Sequence, residues 1–101
     1  MNFNQLMKQA QQVQKKLNRV QKDFNEKIFD FANQEQSVKG QMKGNMEIIK
    51  LEIADQVWQN TDIPAGEQIA AALNEARNQI AAQKEKELGA IAGDVHIPNL
   101  F

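Results

Sequence analysis

The sequence predicts an α+β fold in the order helix, three antiparallel strands, helix (α-β-β-β-α). Two long stretches carry apolar residues at helical spacing, one near each end of the chain. Between them lie three short runs that alternate apolar and polar residues, separated by turn-forming residues. No Gly or Pro interrupts the first 39 residues, so the first helix has no internal breaker. At 101 residues the chain is read as one domain, small enough for oligomerisation to be an expected stabiliser.

The first helix is expected over residues 1–26. Phe3, Leu6, Ala10, Val13, Leu17, Val20 and Phe24 alternate steps of three and four, which is a heptad seam held over three repeats. Lys8, Lys15 and Lys22 stand seven apart and fall almost opposite that seam, with Arg19 beside them. Gln, Lys and Leu are good helix formers. The seam spans roughly 32 Å at about 1.5 Å per residue, longer than a three-stranded sheet readily covers. The helix is therefore expected to project and to pair with the second helix or with another subunit.

Three strands are expected within residues 28–53. In "KIFDFA", residues 27–32, helix and strand are both possible up to about residue 29. The two Phe and the β-branched Ile28 favour a strand from there. "NQEQ" reads as a turn, and "SVKGQMKGN" as a half-solvated strand ending in the hairpin dipeptide Gly44-Asn45. "MEIIKLEI" follows, with Ile49, Leu51 and Ile53 expected on one face. Met7, Met42 and Met46 are read as core fillers.

"ADQVWQNTDIPAG" is a connection in which Val57 and Trp58 are expected to fold back on the sheet, Trp58 as a core or interface anchor. Asp62 is a candidate N-cap, with Pro64 in the first turn of a helix over 63–92. The helical period returns at Ile69, Leu73, Ala76, Ile80, Leu88 and Ile91, and Gly93 is the expected stop. Residues 93–101 form a tail apolar enough to dock.

The composition closes several routes to function. There is no Cys and one His, His96, so thiolate and multi-histidine metal sites are excluded and no metal or cofactor is expected. No phosphate-binding Gly loop, catalytic triad or carboxylate pair is present, so the chain is not expected to be an enzyme or to take a small-molecule substrate. No apolar run reaches the roughly 18 residues of a membrane span, and no signal-peptide core is seen, so a cytoplasmic protein with no membrane partner is expected. The net charge is −1, yet residues 1–22 hold five cations and no acid. Such asymmetry points to a polyanion, although a solvated helix face also carries it.

"NQLMKQAQQVQKKLNRVQKDF" resembles the opening helix of the YbaB/EbfC family of bacterial nucleoid-associated proteins. "AAALNEARNQIAAQKEKELGAIAG", residues 70–93, resembles its closing helix, with Ala72, Leu73, Asn74 and Ala76 in the family's Ala-aromatic-Asn-x-Ala positions. "IIKLEI", residues 48–53, resembles its third strand. The chain departs from the pattern in the turn "NQEQS", in Gly40-Gln41, in "ADQVW" after the third strand, and in Pro98-Asn99 near the C-terminus. The resemblance implies an α-β-β-β-α fold, a tweezer-like homodimer built through the sheets, and binding to double-stranded DNA in the bacterial cytoplasm, with little sequence preference. The expected contacts are Lys8, Lys15, Lys16, Arg19 and Lys22 of the first helix with Arg77, Lys84 and Lys86 of the last, each as a cation facing phosphate. Glu85 and Glu87 interleave with the last two. The alternative is an adaptor whose helical seam grips a protein partner.

Overall fold

A computed structural model describes residues 2–93, in the order α1 (Phe3–Glu26), β1 (Ile28–Ala32), β2 (Val38–Lys43), β3 (Ile48–Ile53), α2 (Asp55–Gln59) and α3 (Ala65–Gly93). The expected tail, with His96, lies outside the described residues apart from its first, Gly93. The strands form one antiparallel sheet in the order β1-β2-β3. Phe29 and Phe31 pair with Met42 and Gly40, and Val38 pairs with Ile53, so these residues share one face. Asp30, Lys39, Gln41, Lys50 and Glu52 occupy the other.

α3 lies across the apolar face over β1 and β2 and builds two clusters. At one end Val38, Val57 and Ala72 are buried, with Ile53, Ala65 and Ile69 against them. At the other, Phe24, Phe31, Met42, Ala76 and Ile80 are buried, with Phe29, Met46 and Leu73 against them. Phe24 is the one buried residue of α1, and its ring centroid stands 5.3 Å from that of Phe29. A single residue, Lys27, joins α1 to β1 in an extended conformation. The β2–β3 turn then clamps the junction: the Gly44 N–H donates to the Lys27 carbonyl at 2.8 Å and the Asn45 N–H to the Asn25 carbonyl at 3.3 Å.

Local sequence accounts for most boundaries. Asn2 caps α1 by accepting from the Gln5 N–H at 2.9 Å. In the β1–β2 turn the Asn33 Oδ1 accepts from the Ser37 and Val38 N–H groups at 2.8 and 3.1 Å, and its Nδ2 donates to the Ser37 hydroxyl at 2.8 Å. Those bonds satisfy Ser37, a buried polar residue.

Five expectations need correction. The connection after β3 contains a short helix, α2, which buries Val57 but leaves Trp58 62% exposed, so Trp58 is not a core residue. The bends before α3 are ordered by Asn60 instead of Asp62: the Asn60 Oδ1 accepts from the N–H groups of Asp62 and Ile63. Pro64 stands just before the helix, whose first bonds use its carbonyl. The register shifts between Gln41 and Met42, so Ile48, Leu51 and Ile53 stand opposite Met42, Gly40 and Val38, and Ile49 is the bulged residue. Met7 is exposed on α1, whereas Met42 is fully buried and Met46 packs against the core.

Gly40 and Gly44 are present for space. A Cβ at Gly40 would run into the Lys50 carbonyl, and one at Gly44 into the Phe24 carbonyl. The left-handed residue of the β2–β3 turn is Met46, at φ 74°, and not Gly44.

Candidate nucleic-acid interface

The physical problem posed by α1 is its length. Twenty-four residues make a rod of about 36 Å, and α3 with 29 makes one of about 44 Å. The molecule is accordingly drawn out to 68 × 22 × 16 Å. Beyond the sheet α3 runs beside α1. Glu87 reaches Lys27 at 3.5 Å and lines one hollow with Val20 and Phe24. Support fades along the seam: Phe24 is buried, Val20, Leu17 and Val13 are half-buried, and Ala10, Leu6 and Phe3 are exposed. The N-terminal third of α1 is a free arm among the described residues.

Lys8, Lys15, Lys16, Arg19 and Lys22 are all exposed along α1, Lys8 on the free third and the other four where the seam is half-buried. None pairs with an acid among the described residues; the ion pairs there are Lys27–Glu87, Lys43–Glu26, Lys43–Glu47 and Lys50–Glu52. From Lys8 to Lys22 the stripe is about 21 Å long. The seam lies behind Lys8, Lys15, Arg19 and Lys22, so these four face outward, while Lys16 stands to one side, next to Val20 in projection.

The three basic residues of α3 do not join this stripe as one surface. Arg77 and Lys86 are exposed, and Lys84 is half-buried. Nine residues separate Arg77 and Lys86, about 180° around the helix, so they face opposite sides. Lys84 stands beside Arg77 in projection, near the edge of the packed face. The sequence already set Lys84 and Lys86 apart from Arg77, because Glu85 and Glu87 interleave with them.

A second exposed surface went unnoticed in the sequence. β1 and β3 are both edge strands, and α3 packs on β1 and β2, so the face of β3 is left uncovered with Ile48, Ile49 and Leu51 each about 40–45% exposed. The signal was the apolar "MEIIKLEI" itself; strand order was needed to see that it stays uncovered.

An elongated chain of two long helices and a three-stranded sheet, with exposed α1 cations that have no acidic partner among the described residues, is the architecture of a class of small DNA-binding proteins. This chain belongs to the YbaB/EbfC DNA-binding family, whose profile its residues 1–95 match. That is a DNA-binding family and not an enzyme family. The chain is 32% identical over 101 residues to a nucleoid-associated protein of Alkaliphilus metalliredigens, covering 99% of this chain and 89% of the relative. It is 37% identical over 87 residues to a nucleoid-associated protein of Malacoplasma penetrans, covering 85% and 92%. Its fold matches the crystal structure of an uncharacterized protein from Helicobacter pylori at a TM-score of 0.69 and 18% identity, over 91% of this chain and 98% of the other. No helix among the described residues is long and apolar enough to cross a membrane.

Proposed function

We propose that this chain is a nucleoid-associated protein of the bacterial cytoplasm that works as a homodimer and holds duplex DNA by its phosphates, with little sequence preference. The observation that carries the reading is the outward stripe of Lys8, Lys15, Arg19 and Lys22 on α1, with Lys16 on its flank, none neutralised by an acid among the described residues. A stripe of point charges suits phosphates, which carry no sequence information. Arg77, Lys84 and Lys86 contribute less, because they diverge in direction and four acids share their helix.

The open β3 edge supports the homodimer. Unpaired backbone groups along an apolar edge strand invite a second strand, and a second copy brings the same edge. Two copies joined there would each project an α1 arm.

The test is a titration of fluorescent duplex DNA at low and moderate salt, with light scattering in parallel. Five phosphate contacts per arm give a slope of log affinity against log salt near −4.5, or about a 500-fold loss from 50 to 200 mM. The Lys15→Glu/Lys22→Glu variant is expected to lose binding and to keep the wild-type mass. Unchanged binding by that variant would overturn this placement of the site. Ile49→Lys is expected to yield a monomer; an intact dimer would move the interface elsewhere.

A second reading is favoured by a different observation, the exposure of Phe3, Leu6 and Met7 on the free arm. On that reading the protein is an adaptor whose arms grip a helix of another protein through the heptad seam. Absence of DNA binding at low salt would leave that reading in place.

A further inference from the structure

We propose that the acidic base of the arm, led by Asp23 and Glu26, is an electrostatic stop that confines duplex DNA to the Lys8–Lys22 section of α1. The inference rests on the DNA-binding reading above and adds where along the arm the duplex is held.

The stop begins on the stripe itself. Lys8, Lys15 and Lys22 recur every seven residues, and Glu26 follows Lys22 by four. Eighteen residues separate Lys8 from Glu26, which is five turns, so Glu26 stands in line with Lys8 on the same face. The sign of the stripe therefore reverses within about 6 Å of helix axis. Asp23 is exposed one residue after Lys22 and has no ion-pair partner among the described residues.

Elements from the rest of the fold reinforce the reversal. Glu87 of α3 and Glu47 beside the β2–β3 turn are brought to the same end of the arm. Two cations there, Lys27 and Lys43, are already engaged. Lys27 lies 3.5 Å from Glu87 and 5.4 Å from the Phe29 ring centroid, and Lys43 is shared by Glu26 at 3.4 Å and Glu47 at 3.7 Å. Asp23, Glu26, Glu47 and Glu87 thus meet Lys27 and Lys43 at the base, with Lys84, Glu85 and Lys86 next to Glu87 on α3. Farther back, residues 23–93 as a whole hold twelve acids and seven cations.

Helix stability does not explain this arrangement. The positive end of a helix dipole favours acids in the first turn and cations in the last. α1 has neither: its first turn has no acid, its last turn no base, and its two acids stand near the C-terminal end. The charges run against the dipole, which itself adds positive potential at the free tip. What the arrangement does produce is a steep potential gradient along one face, attractive to phosphate for about 21 Å and repulsive beyond. That length corresponds to roughly six base pairs, with five cationic contacts at most per arm.

The test neutralises the stop without adding a cation. Asp23→Asn/Glu26→Gln changes two exposed side chains and leaves Lys43 its Glu47 partner. The control, Glu35→Gln/Glu75→Gln, makes the same change in net charge. Its residues line a hollow with Asn33, at the β1–β2 turn and so at the opposite end of the sheet from α1. Binding of a fluorescent duplex to each full-length variant is measured from about 50 to 300 mM salt, with circular dichroism to confirm the fold. The stop variant is expected to bind about fivefold tighter at low salt, with a slope steeper by about one as a further phosphate is engaged. The control is expected to change affinity less than about twofold and to keep the wild-type slope.

Equal tightening by the two variants would mean that only net charge matters, and would overturn the stop. So would an unchanged affinity of the stop variant beside a wild type that binds. A wild type that does not bind at low salt would instead defeat the DNA-binding reading on which the stop depends.

Discussion

Replacing Phe24 by Ala tests the joint that holds the arm. Phe24 is 3% exposed and lies in the cluster with Phe31, Met42, Ala76 and Ile80. It is the only α1 side chain buried to that degree, and the next seam residues, Val20, Leu17 and Val13, are half-buried. Truncating a buried Phe removes its transfer free energy and leaves a cavity, about 3–5 kcal/mol together. The site cannot collapse easily. The Gly44 backbone is packed against Phe24, and Phe29 stands against its ring. For a domain of this size about 1 kcal/mol moves Tm by roughly 4–8 °C, so the expected fall is on the order of 15–30 °C. Thermal unfolding followed by circular dichroism reads the loss. Hydrogen exchange locates it, with protection expected to fall across α1 before it falls in the sheet. A Tm change below about 5 °C would refute the reasoning, because the arm would then be held by the half-buried seam alone. Phe24→Leu keeps most of the volume and is expected to recover more than half of the difference.

Three further outcomes follow from single sites. Gly44→Ala is expected to destabilise by about 2 kcal/mol or more, since its Cβ meets backbone that must move, while Gly89→Ala, in open space within α3, should stabilise by about 0.5–1 kcal/mol; chemical denaturation of the two side by side checks the contrast. Asn33→Ala removes the acceptor for two backbone N–H groups and the donor to the buried Ser37 hydroxyl, and should cost about 1–3 kcal/mol in the same assay. Asn2→Ala should cost about 1 kcal/mol of helix stability and appear as faster hydrogen exchange confined to the first turns of α1.

Much of the fold could be read from periodicity, because periodicity is a local consequence of backbone geometry. The α1 seam predicted a helix ending at Glu26, and Glu26 is its last residue. The strand pattern placed β1 at Ile28 and ended β3 at Ile53, as observed. The misreadings arose where one residue's neighbours come from elsewhere in the chain. Trp58 was read as a core or interface anchor, and it is not in the core: α2 buries Val57 against Val38 and Ala72 and leaves Trp58 exposed. The alternation in "MEIIKLEI" was read correctly as a strand and incorrectly in phase, because a bulge at Ile49 is invisible until the partner strand is known. At the candidate interface the types and numbers of the α1 cations were legible, but their lack of partners was not.

By itself, then, the sequence determined the order of the two long helices and three strands, the seam and the cationic stripe opposite it, and the absence of Cys and of a multi-histidine set, since each depends only on residue type and spacing. The tertiary structure decided what those features face. It set α3 over β1 and β2 and left the face of the edge strand β3 uncovered. It paired Lys27 with Glu87 and Lys43 with Glu26 and Glu47, and left the five α1 cations without an acidic partner among the described residues. The physical reason is that the energy of a charge depends on its distance to every other charge in space, and distance across a fold is a property of packing and not of order along the chain.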